Sequence, residues 1–235
     1  MLVRDDGATW AAITQPAHAH LAGQVAALWA DPLEPEVVLA CEQHDVAWSL
    51  WDRTPPLHAP ARRAAAFFEA DVGERLALWR NVAARLDAQS PYAAVLVSLH
   101  GTNVHTRYGA IDDERLGPLL DGLRAEQDAL LVRLPQDRAQ AEADADVVFA
   151  LDQLSLVVCH GWDGRTLPPV RGTTVTIAPL GDEAWSLNPW PLRVGAARLE
   201  VPVRRLRERF DDDAALHAAL ARAPFRRLAI ELRPA

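Results

Sequence analysis

The sequence predicts a mainly α-helical fold, a helical bundle with a small β-sheet contributed by its two ends. Apolar residues recur at the helical period through residues 15–161, which are expected to form the helical core. Strand-like runs are confined to an N-terminal hairpin over residues 1–14 and to an α+β tail over residues 162–235. No low-complexity linker separates these parts, so we expect residues 1–235 to form a single domain, with the tail packed on the core.

The composition excludes several classes of protein. Half of the 235 residues are hydrophobic, which is enough to build a core without staples. The net charge of -8 argues against a face that binds nucleic acid or a membrane. Cys41 and Cys159 are too few for a disulfide framework, and neither a signal peptide nor a membrane-spanning run is evident. We therefore expect a cytoplasmic protein with a small-molecule substrate, and a homodimer stays open as its oligomeric state.

Proline and glycine mark the ends of the predicted elements. Asp5-Asp6-Gly7 predicts the turn of the hairpin, and Pro16 is well placed in the first turn of a helix. Gly161 is expected to end the last helix of the core. Helices are predicted over residues 15–29, 35–50, 111–133, 136–160 and 211–222, with an interrupted helical pattern over residues 62–88.

The middle of the chain and the tail carry weaker patterns. Tyr92 to His100 is apolar apart from Ser98, which predicts a central helix buried on all sides, with a strand as the alternative. Gly101 to Gly109 predicts a polar loop. Short runs in the tail predict a small sheet that the N-terminal hairpin could join. These runs are Thr173–Ile177, Leu199–Val203 and Leu228–Leu232.

Four predicted helices place a histidine or an aspartate on the side that should be buried. These residues are His18, His44 with Asp45 beside it, His100 and Asp152. His18 lies three residues before Leu21, and Asp152 lies four residues after Val148, so both fall on apolar stripes. Imidazoles and carboxylates that face a core are costly unless they are paired or bind a cation. Their combination predicts a buried metal site.

The order of these residues resembles that of the HD superfamily of metal-dependent phosphohydrolases. That superfamily has the order H…HD…H…H…D on converging helices, matched here by His18, His44-Asp45, His100 with His105, and Asp152. The resemblance implies an HD-domain-like helical bundle that binds one or two divalent transition-metal ions. Imidazole and carboxylate ligands suit Mn, Fe, Zn or Ni. The implied metal ligands are His18, His44, Asp45, His100 and Asp152.

The chain also resembles, more closely, a bacterial family known only as domain of unknown function 3891. The resemblance covers nearly the whole chain and brings no established activity with it. One departure is Ala47, where members of the family have glycine before the tryptophan that is Trp48 here. The matching segments are Gln15–His18, Glu42–Trp48, Pro91–Ala94, Ser98–His100, Asp152–Leu156 and Asn188–Pro191.

The reaction implied by the HD resemblance is hydrolysis of a phosphoester or nucleotide by metal-activated water. Asp45 and His100 are the expected catalytic residues. Arg107, next to Tyr108 in the predicted loop, is a candidate phosphate contact, because a guanidinium can bond two phosphate oxygens. His100 could instead cap a helix end, and His105 could lie on the surface.

Two other functions stay open. One is a non-catalytic protein that uses the same fold to bind a metal or a small ligand. The other is a di-iron oxygenase. Both keep the metal site and differ in the chemistry done there.

Overall fold

The computed structural model describes residues 1–107, 113–181 and 183–235. Within these ranges the chain forms seven α-helices, nine β-strands and four short 3-10 helices. The α-helices are α1 (Gln15–Ala27), α2 (Pro35–Gln43), α3 (Val72–Leu78), α4 (Pro91–Arg107), α5 (Leu116–Leu131), α6 (Arg138–His160) and α7 (Asp213–Arg222). The strands are β1 (Leu2–Asp5), β2 (Trp10–Ile13), β3 (Leu57–His58), β4 (Arg63–Ala64), β5 (Arg165–Thr166), β6 (Thr176–Gly181), β7 (Ala184–Asn188), β8 (Ala197–Leu206) and β9 (Arg226–Pro234). The 3-10 helices are Val46–Trp48, Trp51–Arg53, Phe67–Glu69 and Ala83–Arg85.

A seven-stranded mixed sheet dominates the β-structure of the described residues. Its order is β1-β2-β8-β9-β7-β6-β5, and its neighbouring strands are antiparallel except for β7 and β9, which are parallel. Strands β3 and β4 form a separate hairpin. The fold is therefore α/β. The expected mainly α-helical bundle of HD type, with only a small sheet, is wrong.

The tail strands are longer than their apolar runs indicate, which explains the error. Strand β8 spans ten residues, and its side chains alternate between buried and exposed from Ala197 to Val203. Only Leu199 to Val203 of this strand is predicted from the sequence. Strand β7 is not predicted at all, because Ser186 interrupts its short apolar run before Pro189.

The N-terminal hairpin joins the tail sheet, as the sequence predicts. Trp10 of β2 lies opposite Leu206 of β8, so the two ends of the described chain share one sheet. Helix α1 begins directly after β2, where the backbone N–H of Ala17 donates to the Thr14 hydroxyl. The sheet therefore sets where α1 begins.

Four helices pack together to surround the interior of the helical part. Helix α1 packs against α2, α6 and β8, and α4 packs against α2, α5 and α6. Every residue from Tyr92 to Gly101 is buried, which confirms the predicted central helix. None of the helices in the described ranges combines the length and the apolar character needed to cross a membrane.

Helix α4 continues where the sequence predicts a loop. It runs to Arg107, so a loop beginning at Gly101 is wrong, and Tyr108 and Gly109 lie outside the described residues. Gly101 is needed for packing rather than for a turn. A Cβ at this position would lie 2.6 Å from Cε3 of the Trp79 ring. The extension includes His105, which lies four residues after Gly101.

Helix α2 is shorter than predicted. It ends at Gln43 rather than at Leu50, and the chain turns at His44 and Asp45 into the first 3-10 helix. At this end His44 Nδ1 donates to the carbonyl of Cys41, one of the carbonyls that a helix end leaves unpaired. The predicted helix over residues 136–160 agrees with α6 within two residues at its start, and Gly161 ends it with a φ of 68°.

Candidate metal centre

Five polar side chains meet inside the helical part of the protein. They are His18 of α1, His44 and Asp45 at the end of α2, His100 of α4 and Asp152 of α6. None of the five is more than 5% exposed. They come together because α1, α2, α4 and α6 pack against one another. These are the five residues that the sequence predicts as metal ligands.

Two overlapping groups have a spacing suited to a cation. His18, His44 and Asp152 form one group, and His44, Asp45 and His100 form the other. In each group, one ligand atom per residue lies within 4.8 Å of the others. The His44 ring centroid lies 5.0 Å from that of His18 and 4.7 Å from that of His100. His44 is therefore the central residue of the cluster.

The hydrogen bonds around His18 determine which ring nitrogen carries a proton. Ser155 Oγ donates to the backbone carbonyl of Asp152 at 2.8 Å, so its own proton is already used. Ser155 Oγ must then accept from His18 Nδ1, which lies 2.8 Å away. The other nitrogen, His18 Nε2, faces Asp45 Oδ2 at 2.7 Å.

The same reasoning applies to His44. Its Nδ1 lies 2.8 Å from the carbonyl oxygen of Cys41, which can only accept a hydrogen bond. Nδ1 therefore carries a proton, and Nε2 lies 3.2 Å from Asp152 Oδ1 and 3.9 Å from Asp45 Oδ2. Among the described residues Nε2 has no partner in hydrogen-bonding geometry.

Both imidazoles thus turn Nε2 toward a carboxylate oxygen. A nitrogen lone pair and a carboxylate oxygen repel each other unless a proton or a cation lies between them. Histidines that bind metal ions commonly donate the other ring N–H to a carbonyl or a similar acceptor, which fixes the tautomer. The contacts of His18 with Ser155 and of His44 with Cys41 have this form, so the site fits a metal ion.

The charges of the cluster also favour a cation. Burial alone would lower the pKa of His44, but the carboxylates of Asp152 and Asp45 raise it to about 9. Burial alone would raise the pKa of each carboxyl, yet the neighbouring imidazoles hold the pKa values of Asp45 and Asp152 below the usual range. Without a metal ion, His44 is therefore protonated near pH 7 and its charge balances the two ionised carboxylates. A metal ion that replaced this proton would supply the positive charge instead.

His100 completes the cluster. Burial and the charge of His44 lower its pKa to about 4, so its ring is neutral near pH 7. In the described part of the chain its Nδ1 has no hydrogen-bond partner. The alternative that His100 caps a helix end does not hold, because α4 continues to Arg107. A neutral buried imidazole with a free nitrogen is suited to bind a cation.

A cleft of about 810 Å³ gives a small molecule access to the cluster. Asp45, His100 and Asp152 line the cleft, whereas His18 and His44 lie behind them. Its volume is in the range of small-molecule sites, roughly 300 to 1,000 Å³. A ligand in the cleft would therefore reach three of the five side chains.

The other residues considered from the sequence have different surroundings. His105 is buried rather than on the surface, lines the cleft, and donates from Nδ1 to the carbonyl of Gly101 at 2.6 Å. Arg107 lies at the end of α4 with Nη2 2.5 Å from Asp146 Oδ1, and it is not part of the cleft lining. Its predicted neighbour Tyr108 lies outside the described residues.

Sequence reasoning missed the arginines and the phenylalanines that line the cleft. Arg75 of α3 and Arg165 of β5 line it, and neither forms an ion pair with a described residue. They come from short segments whose position depends on the tertiary fold, so spacing does not reveal them. The helical period of α6 is one signal that could have pointed to this side of the cleft. Leu156 and His160 follow Asp152 at intervals of four residues and therefore share its face of the helix.

Comparison with known families supports one of the two resemblances. The family described as Protein of unknown function (DUF3891) matches residues 1–208. The chain belongs to this family. The match includes all five residues of the cluster and ends before α7. The DUF3891 description names no activity, and no curated protein and no solved structure matches the chain. The HD-domain-like pattern is not confirmed.

Proposed function

We propose that this DUF3891 protein is a metal-dependent hydrolase that acts on a phosphoester small enough to enter the cleft. One observation carries the proposal. His18 and His44 each commit Nδ1 to a protein oxygen and turn Nε2 toward an ionised carboxylate beside a cleft. A cation held there would be within reach of a substrate, which is typical of catalytic rather than structural metal sites.

The donor set defines which ions fit. Neutral imidazoles combined with carboxylates suit Mn, Fe, Zn or Ni better than Mg or Ca, which prefer oxygen alone. Because His44 Nδ1 is held by a carbonyl, its Nε2 can bind only one ion. A second ion would take its ligands from the other four residues, with a carboxylate shared between the two ions.

The side chains that line the cleft would act in the reaction. A bound cation would supply Lewis acidity and would lower the pKa of a water molecule bound to it to a value near neutrality. Asp45 reaches the cleft and can accept a proton or a hydrogen bond from that water. His100, neutral near pH 7, is a ligand or an acid–base group beside it.

The phosphate contact is assigned to a different arginine from the one predicted. Arg107 is occupied by Asp146 and does not line the cleft. Arg75 lines the cleft and forms no ion pair with a described residue. We therefore propose Arg75 as the side chain that binds the phosphate oxygens.

Elemental analysis of the purified protein tests the metal site, and a phosphatase and phosphodiesterase screen with added Mn tests the reaction. His44→Ala should lose the metal and the activity while circular dichroism shows that the helices persist. His20→Ala is a matched control. His20 is on the same helix as His18, but its side chain is 51% exposed and pairs with Glu42. Full metal content in His44→Ala would contradict the proposal.

The same measurements separate the two other candidate functions. Stable metal binding without hydrolysis of any phosphoester would refute the catalytic part and favour a non-catalytic binding protein. Bound iron with visible absorption, and oxygen consumption in place of hydrolysis, would favour a di-iron oxygenase.

A further inference from the structure

Four aromatic rings and one guanidinium lie at the mouth of the cleft, near the C-terminal end of α6. We call this group the aromatic rim and define it as Phe67, Phe68, His160, Trp162 and Arg165. The rings of His160 and Trp162 are stacked, with centroids 4.1 Å apart and planes inclined by 1°. The Arg165 guanidinium lies 5.1 Å from the Trp162 ring centroid. Phe67 and Phe68 meet edge to face at 5.3 Å.

The aromatic rim is partly open to ligands, because His160 and Arg165 lie against the Trp162 ring whereas the Phe68 ring is exposed. Phe68 is 52% exposed, and Phe67, Phe68, Trp162 and Arg165 all line the cleft. Burial lowers the pKa of His160 to about 3, so its ring is a neutral stacking partner for Trp162. Exposed aromatic side chains next to a guanidinium are typical of surfaces that stack planar rings.

The wall formed by α3 and α4 carries positive charge instead. The Trp79 ring lies 5.7 Å from that of His100 and 5.9 Å from that of His105, so it connects the metal cluster to His105. Arg75 and His105 both line the cleft, and burial together with the charge of Arg75 lowers the pKa of His105. Arg75 Nε is buried and has no hydrogen-bond partner among the described residues. A partly desolvated guanidinium without a carboxylate is a site for an anion.

The distance between the buried cluster and the aromatic rim allows one ligand to contact both. Asp152 and His160 are eight residues apart on α6, which corresponds to about 12 Å along the helix axis. A ligand whose anionic group lies between Asp152 and Arg75 can therefore extend its other end along Leu156 to Trp162.

We propose that the cleft selects a phosphoester joined to a planar aromatic ring, such as a nucleoside or aryl phosphate. The ring stacks against the aromatic rim, and the phosphate lies between Arg75 and the metal cluster. This inference rests on the proposed hydrolase function for the identity of the anion. The ring subsite depends only on the contacts of the aromatic rim.

One further residue distinguishes two kinds of ring. Asp163 lines the same mouth, and its carboxylate can accept hydrogen bonds from a base or from a ribose hydroxyl. A nucleoside phosphate offers such donors and phenyl phosphate does not. The geometry therefore favours the nucleoside phosphate of the two.

Calorimetric titration with three probes tests the inference. The probes are adenosine 5′-monophosphate, ribose 5-phosphate, which lacks the base, and phenyl phosphate, each titrated with and without Mn. The full-length protein should bind the nucleotide about tenfold more tightly than ribose 5-phosphate, since stacking on an aromatic side chain gives an effect of that order. Phenyl phosphate should fall between the two.

Variants locate the two subsites. Trp162→Ala and Phe68→Ala should each reduce affinity for the nucleotide several-fold and leave affinity for ribose 5-phosphate unchanged. Arg75→Gln should weaken both ligands about tenfold while metal content stays at the level of the unmodified protein. Phe68 is half exposed, so Phe68→Ala keeps the test valid if Trp162→Ala fails to fold.

Matched controls come from outside the cleft. Phe225→Ala removes an exposed ring that also lies under a guanidinium, since Arg204 sits 3.9 Å from its centroid. Arg124→Gln removes an exposed arginine of α5. Neither control should change binding of any probe.

Two results would overturn the inference. One is equal affinity for the nucleotide and ribose 5-phosphate, and the other is unchanged nucleotide binding in both Trp162→Ala and Phe68→Ala. Failure of the hydrolase proposal gives a different outcome, in which the variants shift ring binding as expected but no probe is hydrolysed. The two failures are therefore distinguishable.

Discussion

The buried cluster of histidines and aspartates and the aromatic rim lie at two ends of one cleft and are built differently. In the cluster, side chains are almost fully buried, and the ring nitrogens of His18 are both held by protein oxygens. In the rim, Phe68 is half exposed, and the ring stack of His160 on Trp162 follows the end of α6. The cluster is placed by packed helices and the rim by the segments that leave them.

The difference indicates that the two regions have separate roles. Groups that must hold a cation need fixed positions, and packed helices provide them. Groups that select among ligands need access to solvent, and residues near loops provide it. Substitutions in the cluster should therefore act on stability and metal content, whereas substitutions in the rim should act on ligand choice. The following predictions test this contrast, starting with the largest effect.

Asp45→Asn should have the largest effect. It removes the carboxylate that faces His18 Nε2 in a fully buried pair, and breaking such a pair costs about 3 to 5 kcal/mol. Urea unfolding in the presence of a chelator measures the change in the free energy of unfolding. Glu42→Gln is the control, because it removes the exposed pair with His20 and should cost less than about 1 kcal/mol. Equal costs for the two variants would remove the contrast between buried and exposed pairs.

Gly101→Ala should have the next largest effect. The added Cβ would meet the Trp79 ring, which lies between His100 and His105, and overpacking of this kind costs about 1 to 3 kcal/mol. Gly122→Ala in α5 is the opposite case, because no atom lies within 4 Å of its added Cβ. There alanine should stabilise the helix by about 0.5 to 1 kcal/mol. Thermal unfolding of both variants should show shifts of opposite sign.

His160→Gln should change how stability depends on pH. The folded pKa of His160, about 3, lies below its ordinary value of 6.5, so the unfolded chain takes up a proton that the folded protein does not. The contribution of His160 is therefore complete above pH 6.5 and is lost as the pH falls toward 3. By pH 5 the loss should be about 1 to 2 kcal/mol. Unfolding free energies between pH 7 and pH 5 should fall less steeply in the variant, and identical slopes would contradict this assignment.

Phe68→Ala should have the smallest effect on stability. Its side chain is 52% exposed, and surface substitutions usually change the free energy of unfolding by less than about 0.5 kcal/mol. Unfolding in urea measures this value, and the nucleotide titration of the same sample measures the loss of ligand binding. A large loss of stability would show that Phe68 supports the fold rather than the ligand.

Sequence patterns predicted the cluster better than they predicted the fold. The helical period shows which side of a helix faces inward, so it located His18, His44, His100 and Asp152 on buried faces. It does not show which distant strands pair. The parallel contact of β7 with β9 joins segments that β8 and α7 separate in the chain, and no local pattern encodes it.

Other residues that line the cleft were missed for a related reason. Arg75 and Trp162 line one cleft although 86 residues separate them, and each lies in or beside a short element. A lone arginine or tryptophan has no spacing that distinguishes it from a surface or core residue. Only the fold shows that both face the same ligand space.

The pairing of β2 with β8 has a consequence for how the protein is made. Strand β2 leads directly into α1, which carries His18, yet its partner strand ends only at Leu206. Such non-local contacts slow folding, because a long loop must close before they form. During synthesis, strand β2 of the hairpin would keep an unpaired edge until nearly two hundred further residues had been added. A fragment ending at Gly161 should therefore lack the support for α1 and present that open edge to other chains.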